Sequence, residues 1–312
     1  MLGPVVEANG TLDCMQKQRT LKEATTCVGI GLHSGDNVTL TLKPAPADSG
    51  IVFVRLDQND CRIPANAEHL SHINHATCLA RDGVRIETIE HLLAAFHALG
   101  VDNVLVELDG PEVPIMDGSA APFIYLIHEA GIKKLTAFRS SLKVTSPISV
   151  TDGARSVVAY PCDTLRLSYT INFDHPLLRH QEYSAEIDET CFVDEIAPAR
   201  TFGFLKDVEL MRQSGLALGG SLDNAVVLGE TGVLNNPLRF PDEFVRHKLL
   251  DLLGDLVLLG NPLKAHVVAT RAGHELHTKL VESILRSPES WEFVTEPAPS
   301  TSTLPVEVVE TA

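Results

Sequence analysis

The chain has 312 residues, 44% of them hydrophobic and 21% charged, which is ample for packed cores and excludes general disorder. Lys and Arg number 25 against 41 Asp and Glu, a formal net charge of −16, which excludes a non-specific nucleic-acid binder. No apolar run approaches the roughly 18–20 residues that cross a bilayer, and the opening MLGPVVEANG lacks the charged-then-apolar order of a signal peptide, so no integral membrane segment is expected.

Residues 1–18 carry no clear period and are expected to form an N-terminal extension. Alternating, β-branched stretches at 37–43 (NVTLTLK) and 51–56 (IVFVRL) predict strands. Over 86–100 the period changes. Ile86, Ile89, Leu93 and Phe96 recur at helical spacing and Gly100 stands at the C-cap position, which predicts a helix. Residues 101–108 return to a strand. Strands are again expected at 142–150 and 165–173, followed by a long helix over 242–259 that Gly260-Asn261-Pro262 stops. A strand at 265–270 and a helix at 274–285 complete the series. The halves share a rhythm of strands, helix, strand and helix, without a residue-level repeat. This predicts an α+β protein of two related domains, 19–138 and 139–295, parted near 134–141. The Pro/Ser/Thr-rich stretch 296–312 is expected to be a disordered tail. Cys14, Cys27, Cys61, Cys78, Cys162 and Cys191 show no CxxC spacing and are expected to be reduced thiols of a cytoplasmic protein.

Polar residues inside apolar helices mark the candidate chemistry. His247, Asp251 and Asp255 stand at i, i+4 and i+8, one stripe on a helix otherwise built from Leu249, Leu250, Leu252, Leu253, Leu256 and Val257. A helix apolar on most sides is buried, and buried carboxylates and imidazoles need a partner or a metal. Taken alone, an H-x-x-x-D pair is a weak signal, because ordinary helix-face contacts give the same spacing far more often. Glu90-His91 interrupts the earlier helix. Neighbours on a helix point about 100° apart, so one could ligate while the other touches water. An exposed dipeptide is the alternative. Together the two helices offer two imidazoles, a carboxylate and a flanking Glu, the pattern of a catalytic zinc with an open position and a carboxylate base. His274 opens the last helix. There a nearby carboxylate such as Asp255 would favour the imidazolium of a proton donor, and a capping or surface role is the alternative. His69, His72 and His75 (HLSHINH) lack an apolar setting and are expected to form a solvated turn. Gly31 to Gly35 precede a strand and so form no P-loop, and Gly219-Gly220 predicts a turn. No G-x-S-x-G, H-E-x-x-H or GxGxxG occurs.

Seven ordered blocks carry a resemblance that runs from about Gln18 to Thr295. They are VGIGLHSG (28–35), TIEHLLAA (88–95), PIMDGSAAPF (114–123), ARTFGF (199–204), GGSLDNAVVL (219–228), EFVRHKLLDLLGDL (243–256) and AGH (272–274). With them the chain resembles the UDP-3-O-acyl-N-acetylglucosamine deacetylase family, the zinc amidases of lipid A synthesis in Gram-negative bacteria. The resemblance implies two two-layer α+β domains packed as a β-α-α-β sandwich. It also implies hydrolysis of the substrate's N-acetyl group to acetate and UDP-3-O-acyl-glucosamine, the committed step of that lipid pathway of the outer membrane. At matching positions His91, His247 and Asp251 resemble the zinc ligands, Glu90 the general base and His274 the general acid supported by Asp255. Thr201 resembles the residue that meets the oxyanion. Lys248 and Phe173 match positions near the UDP and sugar, and Phe204, Leu205, Val208 and Ala217 lie in the stretch that forms the acyl passage. Zn2+ is the implied cofactor, and Fe2+ also suits two His and one carboxylate. The implied partner is the lipid-linked UDP-sugar, bound by a monomer without nucleic acid. Arg246, Lys248, Lys264 and Arg271 are expected to supply local positive charge for it. Ala272 replaces the Ser usual before Gly-His. Two other readings stay open: a different zinc amidohydrolase, and a structural zinc closed by a fourth ligand such as Cys78 or His33.

Overall fold

The computed structural model describes residues 15–71, 76–235 and 237–295. Alternation builds its first sheet. Along Asn37–Pro44, Val38, Leu40 and Leu42 are buried and the residues between them are not, as a strand with one face on a core requires. This strand pairs antiparallel with Thr25–Ile30 and with Val104–Leu108. Val104–Leu108 then runs parallel to Ile51–Arg55, which pairs antiparallel with Cys61–Pro64.

The second sheet repeats that plan. Its central strand Leu263–Thr270 buries Leu263, Ala265, Val267 and Ala269 in alternation. It pairs antiparallel with Arg155–Tyr160 and parallel with Leu165–Ile171, and Ile148–Asp152 and Gln181–Glu186 flank these on the outside. Strand order, chain order and direction all match the first sheet. Ser140–Val144 and Trp291–Thr295 are added at one end. We propose the division into domains 19–138 and 139–295 on this repetition.

The helices are α1 (Glu90–Ala98), α2 (Ala121–Ala130), the single turn α3 (Glu189–Cys191), α4 (Leu205–Gln213), α5 (Glu243–Leu256) and α6 (His274–Arg286). α1 packs between α2 and α5, α2 rests on Thr25–Ile30, and α5 and α6 rest on strands of the second sheet. One apolar core runs through both halves. The architecture is α+β, with helices between two sheets. α1 and α5 touch closely because α5 carries Gly254 at the crossing, where any Cβ would run into the Glu90 backbone.

Each half places an insert at the same point of its plan, between Cys61–Pro64 and α1 in the first and between Gln181–Glu186 and α5 in the second. The first is a small sheet of Leu70–Ser71, Cys78–Arg81 and Val84–Glu87. The second holds α3, the parallel pair Phe202–Phe204 and Val226–Leu228, and α4.

Several expected bounds move. The helix predicted over 86–100 begins at Glu90, because Val84–Glu87 is a strand paired with Cys78–Arg81. Asp82 and Gly83 join these strands at φ 52° and 82°, the two-residue turn that Asp-Gly favours. The strand predicted over 142–150 is two, Ser140–Val144 and Ile148–Asp152, parted around Pro147, which has no N–H to give a ladder. The strand at 165–173 ends at Ile171, which leaves Phe173 in the turn after it. Lys17 and Gln18, assigned to the extension, already lie in Lys17–Leu21, which pairs with Ile132–Phe138. Residues 1–14, the tail 296–312, and His72 and His75 lie outside the described residues, whereas His69 bonds Asn66 in a short turn. Cys27, Cys61, Cys78, Cys162 and Cys191 are free thiols. No helix among the described residues is long and apolar enough to cross a membrane.

Candidate active site

α5 is buried nearly all round, and its polar stripe is buried with it: His247, Asp251 and Asp255 are 1%, 2% and 0% exposed. Glu90 and His91, the first residues of α1, are also buried and face that stripe. Thr88, just before them, takes φ 58°, uncommon for a β-branched residue. Its hydroxyl donates to the buried Glu112 (2.7 Å), which also accepts the His33 and Ser34 amides and so fixes the entry to α1.

His91 Nε2 and His247 Nε2 lie 3.6 Å and 3.3 Å from the same atom, Asp251 Oδ1, and the two rings meet edge to face. His247 Nδ1 is 3.0 Å from the Ala199 carbonyl. A carbonyl only accepts, so Nδ1 carries the proton and Nε2 presents a lone pair. Burial lowers the His247 pKa to about 3 and keeps the ring neutral. Burial opposes ionisation of Asp251, yet His247 and Lys248, whose Nζ sits 2.7 Å from Oδ2, hold its pKa well below the ordinary range. Asp251 Oδ1 is buried and has no hydrogen-bond partner. A bare buried acceptor costs on the order of 1–3 kcal/mol. Two imidazole nitrogens and this oxygen, all within 4.8 Å of one another, form a donor set that fits a divalent cation such as zinc or ferrous iron.

The flanking groups carry opposite charge. Burial pushes the Glu90 carboxyl pKa up, with the His274 and His91 imidazoles acting against it. His274 opens α6 after the extended Gly273 and keeps 14% of its side chain exposed. Its Nδ1 lies 2.8 Å from Asp255 Oδ2, and its Nε2 is 3.7 Å from Glu90 Oε1. Burial opposes charge on this ring, but the Asp255 and Glu90 carboxylates outweigh it and raise its pKa to about 9.

Glu90, His91, His247, Asp251 and His274 line a cavity of about 360 Å³ together with Lys248, Thr201, Phe173 and Phe204. A second cavity of about 410 Å³ adjoins it, shares Thr201 and Phe202 with it, and is walled by Leu205, Val208, Ala217 and Leu234. Phe204 differs from the expected placement. It lines the first cavity with its ring 5.8 Å from Phe173, where it ends the strand Phe202–Phe204 and Leu205 begins α4. Of the four basic residues expected around the site only Lys248 lines the cavity. Arg246 turns away to Asp242, Glu195 and the Tyr183 ring, and Lys264 donates to the Asp163 carbonyl. Neither Cys78 nor His33 joins a ligand cluster among the described residues. Burial raises the Cys78 pKa to about 12.

Three residues escaped the sequence reading: Thr77, His277 and Tyr169, all gathered behind Asp255. His277 was within reach, since it shares a helix face with His274 at i+3. Thr77 had no periodic signal at all.

Fold and site together define a doubled α+β protein with a buried His-His-Asp centre flanked by a carboxylate and an imidazolium. The chain belongs to the LpxC family, UDP-3-O-acyl N-acetylglycosamine deacetylase, whose model matches residues 18–286. It is 50% identical over 279 residues to a protein of Myxococcus xanthus named UDP-3-O-acyl-N-acetylglucosamine deacetylase, with 89% of each chain covered. It is 47% identical over 285 residues to a protein of the same name from Histophilus somni, covering 90% of this chain and 93% of that one.

Proposed function

We propose that this chain is a metal-dependent amidase that removes the N-acetyl group of UDP-3-O-acyl-N-acetylglucosamine in lipid A biosynthesis, releasing acetate and the free amine. The observation that carries the reading is the convergence of His91 Nε2, His247 Nε2 and the bare Asp251 Oδ1 beside Glu90 and His274 on one cavity. His91, His247 and Asp251 would hold the ion, zinc by donor type with ferrous iron as the alternative. When bound, it supplies Lewis acidity towards an amide carbonyl and makes water a stronger acid.

Glu90 takes a proton as water adds to the acetyl carbon, and its raised pKa brings its basicity closer to working pH. Thr201, which lines both cavities, meets the negative charge that develops on the carbonyl oxygen. An amide nitrogen leaves only once protonated. His274, charged below about pH 9 and aimed by Asp255, delivers that proton; the C–N bond then breaks to acetate and amine. Lys248 brings positive charge, and Phe173 and Phe204 bring aromatic faces, for the UDP-sugar. The apolar cavity behind Leu205, Val208 and Ala217 takes the acyl chain. Its position beside the site favours an acylated substrate over a simple amidosugar. The free thiols favour a reducing compartment, and we place the chain in the cytoplasm as a monomer.

Metal analysis combined with acetate release from the acylated UDP-sugar tests the proposal. Stoichiometric metal and acetate are expected. A metal-loaded protein that releases no acetate would overturn it.

A further inference from the structure

The proposed base and acid stand on different elements, Glu90 on α1 and His274 on α6, and one residue of the first insert reaches both. The Thr77 amide donates to Glu90 Oε2 (3.2 Å), and its hydroxyl bonds Asp255 Oδ1 while lying 3.1 Å from His274 Nδ1. An ionised carboxylate can only accept, so the hydroxyl proton goes to Asp255. The hydroxyl oxygen is then a second acceptor for the His274 Nδ1–H, whose first is Asp255 Oδ2. His277 Nδ1 also lies 2.8 Å from that oxygen and is backed by Tyr169. Thr77 is 2% exposed and Asp255 0%, so bulk water does not replace the bond, and Thr77 lines neither cavity.

We infer that Thr77 is a positioning residue that sets the acid and the base against each other. Its hydroxyl fixes the Asp255 carboxylate and the plane of the His274 ring, and its amide fixes the Glu90 carboxylate opposite. The inference rests on the deacetylase reading. Thr77 touches no substrate, so it acts on the rate of the chemical step and not on binding.

The test uses the metal-loaded full chain with the acylated UDP-sugar. Thr77→Val removes the hydroxyl at nearly constant shape and keeps the amide. The expected result is a kcat lower by about 10–100-fold, as for a misaligned acid, with KM and metal content unchanged. Thr77→Ser restores kcat. In an Asp255→Asn background Thr77→Val has a smaller effect than in the wild type, because the hydroxyl acts largely through that carboxylate. Thr77→Ala gives the same reading should the valine variant fail to fold. An unchanged kcat, a raised KM, failure of serine to rescue, or full additivity with Asp255→Asn would overturn the inference. A wild-type chain that releases no acetate refutes the deacetylase reading instead, so the two failures are distinguishable.

Discussion

Compared strand by strand, the sheet centred on Val104–Leu108 and the sheet centred on Leu263–Thr270 are alike; compared at the helices that follow their inserts, they are not. α1 has nine residues and brings Glu90 and His91 to the site from its first two positions, whereas α5 has fourteen and carries His247, Asp251 and Asp255 at three levels along one stripe. Gly254, in the last turn of α5, lets the start of α1 sit close against that helix, so the short polar end of one helix meets the polar stripe of the other. The inserts differ in the same sense. The first is a compact hairpin sheet that delivers Thr77 to the interior, and the second is longer and walls an apolar cavity. A repeated scaffold thus supplies rigidity twice, while the chemistry comes from what the two copies do not share. One proposed ligand and the base come from the first half; two ligands and the acid come from the second.

If that division is real, the largest effect follows from removing the carboxylate on which both imidazoles converge. Asp251→Ala should lose metal and acetate release together, and undiminished metal by elemental analysis would refute its ligand role. His274→Ala should keep its metal, because this ring is outside the proposed ligand set His91, His247 and Asp251, and lose about 10²–10⁴ in kcat, the usual worth of a placed acid. Full activity in that variant would remove His274 from the reaction.

A smaller effect separates the acid from its support. The His274 pKa stands near 9 because the Asp255 and Glu90 carboxylates outweigh burial. The acid form is therefore present below about pH 9 and is lost as pH rises through that value. Asp255→Asn removes the largest of the charges that raise this pKa, so the imidazolium is lost at lower pH and the basic limb of the kcat/KM profile should move down. A limb that stays in place would assign it to another group.

How much of this was legible depended on whether a contact lay within one element. His247, Asp251 and Asp255 belong to one helix, so helical geometry alone put them on one stripe, and Glu90-His91 stood out as polar residues in an apolar run. Ile86 and Ile89 misled because a spacing of three fits a helix as well as a strand end followed by a cap. The Asp82-Gly83 turn ahead of them was the better signal. Arg246 was grouped with Lys248 by sequence proximity, yet two residues along a helix turn by about 200°, which sends it to the far side. Thr77 was invisible for a deeper reason. Its partners Asp255 and His274 are 178 and 197 residues away, and a contact over such distances leaves no local pattern.

The smallest expected effect bears on the second insert, the longer of the two. Val208 lies on α4 and walls the apolar cavity without touching the ligand set. Val208→Trp should fill part of that volume and lower kcat/KM for the acylated UDP-sugar by about 10-fold, the scale on which apolar pockets discriminate. Metal content and the pH profile should stay unchanged, because α1, α5 and α6 are untouched. The same variant acting on the non-acylated sugar should lose nothing, since no chain then competes for the space. Equal losses on both substrates would show that the insert supports the catalytic cavity rather than the acyl chain, and the contrast between the two halves would lie in their helices alone.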